Sequence, residues 1–147
     1  YKKVCTLMIG AFLELSIKQA VTTSAASTNV VDFGTKKPNT GNAAHNLYAV
    51  FTIPESFAGG SLTISLQDSA DGTNFANVIS GVTVTATDLK AGSQYVIPMP
   101  VSHRRYIRAY YAVTGSMTAG KINCAIVSGL QNNEPAPESQ KVWSGKK

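Results

Sequence analysis

Apolar and polar residues alternate along most of this chain with a period of two. The clearest case is Ser61 to Gln67, where Leu62, Ile64 and Leu66 fall on one side and Thr63 and Ser65 on the other. Successive side chains of an extended strand point to opposite faces, so this pattern predicts a half-buried antiparallel strand. Leu47 to Ile53 predicts another, stopped by Pro54. Val82 to Thr85 alternates again, and Gln94 to Ile97 adds a strand ended by Pro98 and Pro100. Arg105 to Val113 is longer and aromatic, with Tyr106, Ile107, Tyr110, Tyr111 and Val113. Lys121 to Leu130 is the last strand, placing Ile122, Cys124, Ile126 and, at its end, Ser128 on one face. Val21 to Asp32 is expected to hold one or two short strands. Asp71-Gly72-Thr73-Asn74 reads as a turn from which Phe75 folds back onto the core. No stretch predicts a helix and none repeats at a solenoid period. About eight short strands separated by turns predict an antiparallel sandwich or barrel.

Composition agrees. Of 147 residues, 44% are hydrophobic and only 14% charged, too few charges for many helices with salt-bridged outer faces. Thr and Val are abundant, and β-branched residues favour strands. One domain of this length buries a core without disulfides or metal. The two cysteines, Cys5 and Cys124, are far apart and form no metal-binding spacing. Cys124 sits inside an apolar strand pattern and reads as a small buried hydrophobe. Near the start, Lys2 and Lys3 precede the apolar run Val4 to Leu13, as in a signal peptide. Glu14 interrupts that run, and Lys18 follows without a small-residue cleavage site. The run is also too short to span a bilayer, so the segment reads as part of the folded or docked protein.

The net charge is +5, and five of the thirteen basic residues, Lys2, Lys3, Lys141, Lys146 and Lys147, lie near the ends. No single stretch interleaves basic residues with stacking aromatics, so neither nucleic acid nor a membrane is expected as a partner. The loop Thr35 to Asn46, carrying Lys36, Lys37 and Gly41, is polar and reads as an exposed contact loop. Arg104, Arg105 and Arg108 follow His103 as the densest charge within the domain. They fit a solvated strand end and a patch that meets acidic groups on a partner equally well.

Catalytic sets are missing from the pattern. His45 and His103 occupy no nucleophile elbow or metal motif, and both are expected to be surface loop residues. Asp68 and Asp71 are close enough to raise paired-carboxylate chemistry, but Asp71-Gly72 is turn chemistry and Asp68 ends a strand where it can accept backbone N–H groups. With Thr73 and Asn74 they supply too few oxygen ligands for a calcium loop. Gly59-Gly60 and Gly115 lack the strand–loop–helix context of a phosphate loop. No enzyme activity, cofactor or metal is expected.

The ordered set Leu13-Glu14-Leu15-Ser16, Gln19 to Thr22, Ser24 to Asp32, Leu47 to Val50, Ser65 to Ser69, Asp88 to Gly92, Arg105 to Arg108 and Thr118 to Lys121 resembles the capsid cement, or decoration, proteins of tailed bacteriophages. The resemblance covers roughly residues 12–130. It implies an antiparallel jelly-roll-like β-sandwich of about eight strands and dimers, with trimers as the alternative. It also implies a place on the outer surface of the virion capsid, assembled in the host cytoplasm, with the phage major capsid protein as partner. Residues 1–7 and the stretch from Gln131 onward look like additions to the family pattern. The expected organisation is an N-terminal arm over 1–18, the sandwich over 19–130 and an extended C-terminal arm over 131–147. The residues expected to meet the capsid are Lys36, Lys37, Arg104, Arg105, Lys141 and Trp143. Trp143, the only tryptophan, sits beside Val142 and three nearby lysines, and tryptophan is enriched among residues that dominate interfaces. The alternative is a tail or baseplate adaptor, or a carbohydrate-binding module, which a shallow aromatic platform would favour.

Overall fold

The computed structural model describes residues 13–38, 40 and 47–128. They form ten strands: β1 Glu14–Ala20, β2 Ala25–Ala26, β3 Val31–Asp32, β4 Leu47–Ala58, β5 Ser61–Ser69, β6 Ala76–Ile79, β7 Thr83–Thr85, β8 Gln94–Pro98, β9 Tyr106–Thr114 and β10 Ala119–Ser128. Every pairing is antiparallel. One sheet has the order β1-β10-β4-β8; the other has β2-β9-β5-β6, with β3 also on β9 and β7 also on β5. The first strand therefore pairs with the last, β2 and β3 with the next-to-last, β4 with β8, and β5 with β6 and β7. This is the order left when one long, repeatedly paired ribbon wraps on itself into two facing sheets. The protein is an antiparallel β-sandwich.

The alternation predicts the core well. Leu62, Ile64 and Leu66 of β5 are buried, as are Ile107, Ala109 and Tyr111 of β9. From the other sheet come Leu15, Phe51, Ile53, Ile122, Cys124 and Ile126. Phe51 meets Tyr111 edge-on across the interior, with centroids 6.4 Å apart, a favoured aromatic geometry. Cys124 carries a free thiol, and burial pushes its pKa up, so it packs as a small hydrophobe. Cys5, a bridge partner considered from the sequence, lies outside the described residues.

Several expectations change. The predicted arm over 1–18 overlaps the sandwich, because β1 starts at Glu14 and Leu15 is fully buried. Pro54 does not stop β4, which continues to Ala58. Between Asn123 and Lys121 the partners on β4 step from Thr52 to Glu55, one residue more than β10 advances. Pro54 sits in that bulge, where a missing N–H breaks no ladder bond. Val82 precedes β7 and is 74% exposed, so the alternation Val82 to Thr85 buries only Val84. Ser128 is exposed rather than on the buried face of β10. Phe75 does not join the core. It is half-buried, and the Arg108 guanidinium lies 3.9 Å from its ring centroid. The aromatic strand β9 is no sheet edge, because it runs between β5 and the short β2 and β3.

Candidate contact surface

β5 ends where β9 begins, and β3 pairs with the start of β9 at Val31–Ile107 and Asp32–Tyr106. This end of the sandwich gathers four of the residues selected from the sequence. Asp68 follows Leu66 on the inward side of β5, at the rim of the core. It accepts the Arg104 backbone N–H at 2.9 Å, Arg104 Nε at 2.9 Å and Nη2 at 2.7 Å. Arg104 Nη2 also donates to the Asp68 carbonyl at 2.8 Å. Burial alone pushes the Asp68 carboxyl up, but the hydrogen bonds from Arg104 outweigh it and hold the group below its ordinary range. The expectation that Asp68 caps nearby backbone holds, and a guanidinium joins it.

Arg105 forms a two-pronged pair with Asp32, Nε to Oδ1 at 2.7 Å and Nη2 to Oδ2 at 2.8 Å. That pair, helped by the Gly34 N–H, brings Asp32 down to about 2. The same guanidinium lies 5.1 Å from the Tyr106 ring centroid. Arg104 and Arg105 thus both carry carboxylate partners within their own chain, while leaving 43% and 40% of their side chains exposed.

The lysine loop is pinned beside them. The Phe33 N–H donates to the Arg105 carbonyl at 3.0 Å, and Thr40 Oγ1 donates to the Pro100 carbonyl at 2.7 Å. Lys36 and Lys37 between these ties are exposed, and among the described residues neither has an ion-pair partner. The fold therefore brings Lys36, Lys37, Arg104 and Arg105 to one end. Lys141, Trp143 and His45 lie outside the described residues.

His103 is not a surface residue. It is only 4% exposed and packs edge-on against Phe33, with centroids 4.9 Å apart. Its Nδ1 donates to the Arg104 carbonyl at 2.6 Å, while Nε2 is buried with no partner among the described residues. Burial lowers its pKa and favours the neutral ring. A histidine beside prolines reads as loop; that the loop folds under Phe33 is a long-range fact. Asp71 is the turn residue expected. Oδ1 accepts the Thr73 and Asn74 N–H groups at 2.9 and 2.8 Å, which hold its carboxyl far below the ordinary range. No cluster of three or more metal-ligating side chains exists among the described residues.

The outer face of the β9 sheet was overlooked as a site in the sequence. Tyr106, Arg108 and Tyr110 alternate with the buried Ile107 and Ala109, so they share that face. Arg108 Nε donates to Gln67 Oε1 at 2.9 Å, Gln67 Nε2 donates to Asn77 Oδ1 at 2.9 Å, and Phe75 stacks beneath the guanidinium. Unlike its two neighbours, Arg108 has no carboxylate among the described residues. The result is a shallow aromatic and polar platform. Its signal was the Tyr-x-Arg-x-Tyr spacing at period two.

No curated protein matches the chain. The family model described as Bbp16 matches residues 15–126. That interval opens inside β1 and closes inside β10, so it spans the sandwich from its first strand to its last. By that match over most of its length, the chain belongs to the Bbp16 family.

Proposed function

We propose that this protein is a structural capsid cement protein, not an enzyme, that binds the outside of a phage head and bridges neighbouring major capsid subunits. The strand order is the observation that carries the reading. Counting β2 with β3 and β6 with β7 as single strands leaves eight, paired first with last inward to the fourth with the fifth. That is the order of a jelly roll, a frequent viral architecture and the fold implied by the resemblance. Fold alone does not give function; the Bbp16 match and the cationic end of the sandwich add to it. A bridge that grips two or more subunits gains avidity without any single strong contact. Lys36 and Lys37 are the cleanest contact candidates, because changing them disturbs no internal ion pair among the described residues.

The test is co-sedimentation with DNA-free expanded heads. Wild-type protein should pellet with the heads, and Lys36→Glu with Lys37→Glu should reduce occupancy at low salt. A wild type that stays in the supernatant rules the cement reading out. A homodimer is part of this reading, since pairing across a two-fold axis covers an exposed sheet edge. Sedimentation of the free protein at micromolar concentration should show it; a clean monomer with three-fold density on the particle would mean a trimer.

The platform at Tyr106, Arg108, Tyr110 and Phe75 favours a second reading, a tail or baseplate adaptor or carbohydrate-binding module. Rings flanked by hydrogen-bonding side chains suit sugar faces. A low-resolution image of virions with this protein labelled separates head from tail.

A further inference from the structure

The two sheets do not close on the flank formed by β8 and β7. β8 pairs with β4 alone, and nothing among the described residues pairs with its other side. The Met99 N–H donates to the Leu47 carbonyl, and the Ser93 carbonyl accepts from the Ile53 N–H. In an antiparallel pair such hydrogen-bonded positions recur at every second residue. The odd-numbered residues of β8 therefore turn their backbone groups toward β4. The N–H and C=O of Gln94 and Val96, and the carbonyl of Pro98, point away from the sheet.

A cavity of about 90 Å³ opens beside this edge. The buried Phe51, Ile64 and Val84 form its floor, and Val82 and Val96, 74% and 37% exposed, stand at its mouth. Its volume is roughly three times the 30 Å³ share of one liquid water, yet an all-apolar lining gives water no hydrogen-bond partners. An unpaired backbone edge beside an empty apolar hole is the two-part requirement for strand addition. Main-chain bonds supply affinity, and a pocket for alternate side chains supplies selectivity.

We propose that β8 is a strand-addition site for an extended segment of another protein, alternating aliphatic with polar residues and seating one aliphatic side chain in this cavity. A second copy of this chain fits less well. Self-pairing of β8 about Val96 would bring the copy's Tyr95 and Ile97 to the core side, and these already pack on their own core. A copy would satisfy the edge but bring no unoccupied side chain to the hole. Pro98 bounds the site, since its missing N–H lies on the open side. This inference goes beyond capsid binding and does not depend on it.

The test uses the full chain and, as probe, an eight-residue peptide alternating valine with threonine and ended by lysines. On titration, the Gln94 and Val96 amides should shift in NMR spectra and gain protection from hydrogen exchange. Val96→Pro removes only an outward N–H and should weaken binding about tenfold. Val82→Lys, at an exposed position that folding tolerates, should weaken it several-fold by charging the mouth. Thr83→Pro, which blocks the facing edge of β7, should leave affinity unchanged. Absence of binding at millimolar peptide overturns the proposal, as does equal affinity for the Val96→Pro or Val82→Lys protein. Loss of binding in Thr83→Pro alone would place the occupant on β7 instead. Protection of Gln94 and Val96 that rises with protein concentration without peptide would make the occupant a second copy. Protection that vanishes on deleting residues 131–147 would make it the chain's own tail. Either result overturns the proposal.

Discussion

The Tyr111 hydroxyl lies 2.7 Å from Ser16 Oγ, a buried contact between strands of opposite sheets separated by 95 positions in sequence. Ser16 Oγ in turn donates its single proton to Gln19 Oε1 at 2.7 Å, so Tyr111 is the donor to Ser16. Gln19 then reaches β2, accepting the Thr28 N–H at 3.0 Å and donating to the Ala26 carbonyl at 2.8 Å. β1 can turn both Ser16 and Gln19 inward only because its register slips between them, where Lys18 adopts a φ of 45°. This chain of bonds fastens the edge strand β1 to the far sheet.

Tyr111→Phe should therefore destabilise the fold by about 1–2 kcal/mol, the loss of one buried donor with its acceptor left exposed to no water. Chemical denaturation should show a lower midpoint with an unchanged slope. An unchanged midpoint would mean that the hydroxyl contributes nothing to stability.

Arg104→Glu should cost stability before it costs binding. The new carboxylate would face Asp68, whose side chain is only 10% exposed. Asp68→Asn with Arg104 intact should cost about 1–3 kcal/mol, discounted for the 43% exposure of the arginine side chain. Lys36→Glu with Lys37→Glu should leave the thermal midpoint within about 2 °C of wild type. Equal stability for all three proteins would free Arg104 from its structural role.

His103 should make the protein acid-sensitive. Burial lowers its pKa in the fold below the ordinary 6.5. The unfolded chain then binds a proton at pH values where the folded one does not, so stability is full above pH 6.5 and falls as pH drops through it. The loss levels off once the lowered folded value is passed. Asp68 and Asp32 keep their charge over this window because both are held below their ordinary values. Stability measured from pH 7.5 to 5 should slope for wild type and flatten for His103→Gln. Parallel slopes would assign the sensitivity elsewhere.

Removing residues 131–147 should leave the sandwich folded, because the core pattern ends at Leu130 and the last described strand at Ser128. On heads, the truncated protein and Trp143→Ala should both show reduced retention, since a tryptophan anchor commonly carries a large share of an interface. Unfolding on truncation would make the tail part of the core. Undiminished retention would remove the arm from the interface.

The sequence by itself determined what local alternation can determine. A period of two names the strands and their buried faces, so Leu62, Ile64, Leu66, Ile122, Cys124 and Ile126 were legible as core residues. Turn chemistry was equally local, as Asp71 shows, because its carboxylate bonds to N–H groups two and three residues away. Clustered charge marked Arg104 and Arg105, but not their partners. Asp68 is 36 positions from Arg104 and Asp32 is 73 from Arg105, and no periodicity encodes such pairings. The tertiary structure alone decided that both arginines hold carboxylates of their own chain, that His103 is buried under Phe33, and that Arg108 covers Phe75. It also decided that β8 is left with an open side while β9 is enclosed. The physical reason is range. Which face a residue occupies follows from the alternating geometry of one strand, whereas what lies opposite that face depends on how strands distant in sequence are ordered in the sheets.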